Sequence, residues 1–230
     1  MSIRDIWYAI QACTNHRFNY ETLKPWFRGW VKRIRKEQPA MWTDEMFNRQ
    51  LLFPCYFFDH ATGFRDVTRY LVYNMSFPIK DSNPIFFDRK RLRPKCFIRS
   101  LNKTRAQLPA ILQCKLFGNV DKLLNQDPCA CNEAAICTCL KEIKRVGIRP
   151  FGDSLYKGSI RAIVDRLELF DPGIVRKLDP KPCHCGCFPR CGCTILWRDV
   201  VKLARKEVLE HFSGFGLNYR EYDPKEDFQD

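Results

Sequence analysis

The residues best equipped for chemistry are cysteines, and they fall in two knots. Cys129-Ala130-Cys131 and Cys137-Thr138-Cys139 form the first; Cys183-His184-Cys185-Gly186-Cys187 and Cys191-Gly192-Cys193 form the second. In an extended segment alternate side chains project to one face, so a Cys-x-Cys step presents two sulfurs to one ion. Gly186 and Gly192 permit tight backbone wrapping there. A tetrahedral zinc takes four ligands, and the knots hold nine cysteines plus His184, so one ion per knot and two ions shared between knots are both open. Such zinc would be structural, and in small modules it stabilises the fold by about 10–16 kcal/mol apparent. The standard structural spacing is Cys-x2–4-Cys, however, so reduced or redox-labile thiols remain an alternative reading, with disulfides a third. Cys13, Cys55, Cys96 and Cys114 sit in helical patterns and read as small core residues.

A catalytic centre is harder to assemble. The four histidines are His16, His60, His184 and His211, and none forms an H-E-x-x-H pair. No G-x-S-x-G elbow or phosphate-binding G-x-x-x-x-G-K-[ST] loop occurs. Asp59-His60 could serve as a base and its orienter, but a helix-capping Asp beside a surface His is the commoner meaning of that pair. Gly214-Phe215-Gly216 is a lone G-x-G and reads as a helix end. The expectation is a protein that is not an enzyme.

Charge narrows the partners. The chain of 230 residues carries 39 basic and 26 acidic residues, a formal net charge of +13. Such an excess favours acidic surfaces, nucleic acid or anionic lipid. Much of it lies on Lys24, Arg28, Lys32, Arg33, Arg35 and Lys36, and on the run from Arg89 to Arg105. In that run Arg91, Lys95 and Arg99 recur at four-residue spacing, making it the best nucleic-acid candidate. The last residues reverse sign, with Glu221, Asp223, Glu226, Asp227 and Asp230. No run of about 18 uncharged apolar residues exists, so no membrane span is expected. Charge follows Met1 within a few residues and no apolar targeting segment follows it, which points to an intracellular protein of nucleus or cytoplasm with reduced thiols.

The elements that would position these residues are helices. Leu23, Trp26, Trp30 and Ile34 recur at helical spacing opposite Lys24, Arg28, Lys32 and Arg35, with Pro25 in the first turn and Pro39 at the end. Thr43 is the expected cap of a second helix, in which Pro54 predicts a kink or interruption. Asp59 is the expected cap of a third, burying Phe64, Val67, Leu71 and Val72. An irregular connection over Ser76 to Arg93 precedes a long helix from Pro94, with Pro109 predicting a kink or break. Further helices are expected over Ser159 to Leu169 and from about Ile195 to Phe212. Val146-Gly147-Ile148 is the nearest approach to a strand. The fold class is therefore mainly α: an irregular multi-helix domain with a cysteine-rich, loop-containing carboxy-terminal part.

The order of these segments resembles fungal proteins carrying a BTB/POZ domain, in the helical region that follows the BTB fold. Leu23-Lys24-Pro25-Trp26 with Trp30 is similar to the first element of that region, and Phe64 to Val72 to the next. Arg93-Pro94-Lys95-Cys96-Phe97-Ile98 through Arg105 resembles its proline-initiated helix, and Val208 to Tyr219 its closing glycine–leucine segment. The resemblance covers about residues 3–220 and lacks a counterpart of the amino-terminal BTB dimer core, which leaves the homodimer the family implies without its usual basis. It divides the chain into a helical region over 1–125, a cysteine-rich helical region over 126–220 and an acidic tail over 221–230. The implied function is a protein–protein interaction or adaptor module, with Trp7, Trp26, Trp30 and Trp42 as candidate anchors. Two alternatives stand beside it: a zinc-dependent nucleic-acid binder, and a cysteine-based metal-handling or redox protein.

Overall fold

A computed structural model describes residues 1–86, 95–124, 130–148, 158–171, 173 and 197–217. The chain is mainly helical, and no strand occurs among the described residues. It divides into two compact units: Met1–Arg105 with the segment beginning at Phe212, and Ala106–His211.

In the first unit α1 (Ile3–His16) opens on a reciprocal cap, Ser2 accepting from the Asp5 amide while the Ser2 amide donates to the Asp5 carboxylate at 2.6 Å. A short 3-10 turn (Tyr20–Leu23) leads into α2 (Lys24–Glu37), where Pro25 occupies the first turn at no hydrogen-bond cost. The buried stripe of α2 is Phe27, Trp30, Val31 and Ile34, so Leu23 and Trp26 fall at its margin. Pro39 opens a second 3-10 turn (Pro39–Thr43).

The cap of α3 (Glu45–Phe57) is Asp44, not Thr43: its carboxylate accepts from the Phe47 amide at 2.6 Å, while the Thr43 hydroxyl donates to the Ala40 carbonyl. Pro54 does not interrupt α3, which continues to Phe57. The Pro54 ring has no N–H to offer the Gln50 carbonyl one turn earlier. The Trp7 indole of α1 supplies that missing donor, 2.9 Å from the Gln50 oxygen, and stacks on Phe53 at 5.3 Å between centroids. One tryptophan thus joins α1 to α3 and satisfies the carbonyl that the proline leaves open.

The cap of α4 (Ala61–Asn74) is also displaced by one residue from expectation. His60 Nδ1 accepts from the Gly63 amide at 2.9 Å, while Asp59 takes a left-handed conformation (φ 52°) and pairs with Lys24 at 2.5 Å. Gly63 is required there, because a β-carbon would lie 2.6 Å from His60 Nδ1 and 2.9 Å from Cys55 Sγ.

The connection after α4 is irregular as far as it is described, to Phe86, and α5 (Lys95–Leu124) holds it in place. Asn102 donates to the Ile79 carbonyl and accepts from the Ile79 amide at 2.7 Å; Arg105 donates to the carbonyls of Met75 and Ser76 at 2.9 and 2.6 Å. Pro109 lies within α5 without breaking it. The returning segment hydrogen-bonds α4, the Phe212 amide donating to Tyr73 Oη at 3.1 Å and the Phe215 amide to Thr68 Oγ1 at 3.0 Å.

The second unit contains the later part of α5, with α6 (Ala130–Arg145), α7 (Ile160–Arg166) and α8 (Trp197–Glu210). The Val146-Gly147-Ile148 segment is the end of α6, not a strand. Gly147 is left-handed (φ 77°), and the Ile148 amide returns to the Ile143 carbonyl at 3.1 Å. Ser159 caps α7 as its position in the sequence suggests. Glu142 is buried on α6, where Arg145 donates to both its oxygens at 2.6 and 2.7 Å and the Asp171 amide donates at 2.8 Å. On α8 Arg205 pairs with Glu168, and Glu207 with Lys115 at 2.7 Å. Among the described residues no helix is long and apolar enough to cross a membrane.

Candidate interaction surface

Most of the cysteine set lies outside the described residues: Cys129, Cys183, His184, Cys185, Cys187, Cys191 and Cys193. Cys131, Cys137 and Cys139 fall on α6, in helical rather than extended backbone. Residues two apart on a helix point about 200° away from each other. Accordingly Cys137 is exposed and Cys139 is buried. Burial, and then the nearby Glu142 carboxylate, push the Cys139 thiol up to about 12, so it is held as a protonated core residue. Cys13 and Cys55 are buried as expected of core residues, whereas Cys114 is exposed. Among the described residues no three His, Cys, Asp or Glu side chains gather around one point.

The Asp59–His60 pair is not arranged as a base and its orienter. Asp59 is engaged by Lys24, and His60 uses Nδ1 to cap α4. His60 also meets the Phe27 ring edge-on at 5.7 Å, and burial lowers its pKa below the ordinary histidine value. Burial raises the neighbouring Cys55 thiol well above its ordinary range, which removes it as a nucleophile at neutral pH. His16 and His211 are exposed. In the basic run, Arg99 and Lys103 are exposed on α5, but Arg105 is committed to the carbonyls after α4; Arg89, Lys90, Arg91 and Arg93, and the side chain of Lys95, lie outside the described residues.

The tryptophans separate into two groups. Trp7 and Trp30 belong to the core, at 0% and 3% exposure, and so are not available as anchors. Trp42 lies under the Arg35 guanidinium, 4.3 Å from its ring, and Arg35 is itself paired with Asp66 at 2.5 Å. Trp26 remains open to solvent at 37%, its ring meeting Phe58 edge-on at 6.3 Å.

Trp26 forms one wall of a shallow hollow of 280 Å³ on α2, lined also by Met1, Gly29, Trp30 and Arg33. The Trp30 indole donates to the Met1 carbonyl at 3.3 Å, fixing the start of the chain against the helix. A β-carbon at Gly29 would meet nothing within 4 Å, so the missing side chain opens the hollow rather than relieving a clash. Arg33 lines it, and other cations of α2 are exposed. Arg28, Lys32, Arg33 and Lys36 form no ion pair among the described residues, whereas Lys24 and Arg35 are each held by an aspartate. The surface therefore combines an apolar recess, walled on one side by Arg33, with exposed cations elsewhere on α2 that form no ion pair among the described residues. Its sequence signal was the Trp26/Arg33 spacing of seven, obscured because Trp26 reads equally well as core. Comparison with known proteins found no matching family model, no matching curated protein and no matching solved structure.

Proposed function

We propose that this chain is a non-enzymatic interaction module that binds an acidic protein partner through the exposed face of α2. The observation that carries the reading is the hollow beside Trp26, lined by Arg33, which has no counter-ion among the described residues. Tryptophan and arginine dominate binding energy where they enter a desolvated contact, typically about 2 kcal/mol or more each. The hollow is small for a metabolite site, which usually encloses roughly 300–1,000 Å³, and suits a single inserted side chain.

The resemblance to the helical region after a fungal BTB fold points the same way, towards an adaptor working inside the cell. Structural zinc on the cysteine segments belongs to the same proposal as a means of closing the second unit. Quantitative affinity capture with the wild-type chain and with Trp26→Ala/Arg33→Glu tests the reading. An acidic protein retained by the first and lost from the second is the expected result. Identical captured sets, or capture of nucleic acid alone, would overturn it.

A further inference from the structure

Trp26, Gly29, Trp30 and Arg33 stand at positions i, i+3, i+4 and i+7 of α2. On a helix those four positions are the corners of one diamond, the hole into which a neighbouring helix inserts a side chain. The same four residues, with Met1, line the 280 Å³ hollow. We infer that the hollow is a helix-docking hole, and that its partner is an amphipathic helix carrying a bulky apolar side chain with an acidic one three or four residues away. The inference rests on the reading of the α2 face as a binding surface and names the class of partner that face receives.

Gly29 gives the hole its room. Trp26, Gly29 and Arg33 are exposed, and the fourth corner, Trp30, is buried. Glycine is a poor helix former, and nothing in the fold requires it at this place. A β-carbon at Gly29 would meet nothing within 4 Å, and the residue is not among the left-handed glycines. The missing side chain therefore weakens α2 without relieving a clash or a turn. What it leaves is space between Trp26 and Arg33 for a side chain from outside.

Charge identifies the second feature of the partner. Gly29 and Arg33 are also corners of the next diamond along α2, which Lys32 and Lys36 complete. All three cations are exposed and form no ion pair among the described residues. An apolar hole and a cationic one thus adjoin on a single helix and share two corners. A packed helix meets such a pair with side chains three or four residues apart, the spacing at which its own ridges align. An extended segment suits the face less well. The backbone of α2 is bonded within the helix and offers no edge to pair with, so such a segment would press unpaired amides against apolar walls. A helix arrives with those groups already bonded.

Selection from displayed libraries tests the inference on the full chain. Phage carrying a single α-helix with randomised surface positions, and phage carrying disulfide-closed loops of equal diversity, are panned against the wild-type protein, and binders are resynthesised as peptides. Helical binders should carry Leu, Ile, Met or Phe with Asp or Glu three or four residues away. Their affinity should fall about tenfold or more for Gly29→Leu, which fills the hole, and about fivefold or more for Lys32→Glu/Lys36→Glu. Gly29→Leu replaces glycine with a better helix former in open space, so its melting temperature should not fall below that of the wild type. Helical binders without the pattern, binders indifferent to Gly29→Leu, or binders from the loop library alone would overturn the inference. A Gly29-dependent dimer in analytical ultracentrifugation would also overturn it, assigning the hole to a second copy of the chain. Failure of the helical library, with cellular capture still lost in Trp26→Ala/Arg33→Glu, would sink this inference alone. Gly29-dependent helical binders, with capture indifferent to that variant, would uphold it and sink the reading of an acidic cellular partner.

Discussion

Replacing Trp7 with Phe tests whether the indole completes α3 around its internal proline. In a regular helix the amide of residue 54 would donate to the carbonyl of residue 50, and Pro54 has no such amide. The Trp7 indole occupies that carbonyl at 2.9 Å. Trp7→Phe therefore removes a hydrogen bond and leaves a partly buried acceptor unpaired, at a cost of about 1–3 kcal/mol. The smaller ring also leaves unfilled space in a fully buried site against Phe53, adding about 1–2 kcal/mol. In a Pro54→Ala background the restored amide takes the Gln50 carbonyl, and only the packing loss remains. The double-mutant cycle should accordingly show a coupling of about 1–2 kcal/mol, measured by urea denaturation followed by far-ultraviolet circular dichroism. Additive losses, within about 0.5 kcal/mol, would refute the compensation argument.

Three further outcomes follow from individual residues. Gly214→Ala places a β-carbon 2.2 Å from the Arg65 carbonyl at a backbone φ of 100°, so it should cost about 2–4 kcal/mol and raise amide exchange at Phe212 and Phe215; unchanged exchange would contradict the seating of that segment. His60 has its pKa lowered by burial, so the unfolded chain binds its proton more readily and stability should decline as pH falls from about 6.5 towards the folded value. His60→Asn retains a capping acceptor and should remove that part of the pH dependence, which thermal melts between about pH 5 and 7 would reveal. Arg145 hydrogen bonds, opposed by burial and assisted by the Asp171 amide, hold the Glu142 carboxyl below the usual range; its stabilisation is present above about pH 4.5 and is lost on further acidification. Glu142→Gln should cost about 1–3 kcal/mol at neutral pH, and a neutral effect would show that the α6–Asp171 connection is dispensable.

The helical class and the stripes of α4 and α5 were legible because apolar spacing dominates where a helix has one buried face; in α2 only Trp30 and Ile34 of the expected stripe are buried, and in α8 the buried face is Trp197, Val201, Ala204 and Val208 while Leu203 is exposed. Caps were legible only to within one residue. Thr43 and Asp59 have the preferred side chains, but the carboxylate of Asp44 and the imidazole of His60 hold the geometry, and which neighbour turns inward depends on packing. The segment of α6 was hidden by its own composition. Cys131, Cys137 and Cys139 suggested extended ligand steps, although Ala135, Ile136, Cys139 and Ile143 form a buried helical stripe. Cysteine counts as a small apolar residue in such a pattern. Neither the Trp7–Gln50 bond nor the return of Phe212 and Phe215 to α4 has any local signature, since both join residues far apart in sequence.

For the α2 surface the same limit applies. Trp26 and Trp30 are equivalent as residue types, and only the packing of Phe27 inward leaves Trp26 at the margin. The cations of α2 were visible in sequence, but not that Lys24 and Arg35 are paired with Asp59 and Asp66 while their neighbours lack a described counter-ion.

A photoreactive side chain at Gly29, where the hollow has room for it, probes the α2 surface most directly inside the cells that express the protein. The account predicts crosslinks to acidic protein segments that disappear when Arg28, Lys32 and Arg33 are reversed in charge. Crosslinks to nucleic acid alone, or none above the level given by the same probe at exposed Arg161 in the second unit, would contradict it.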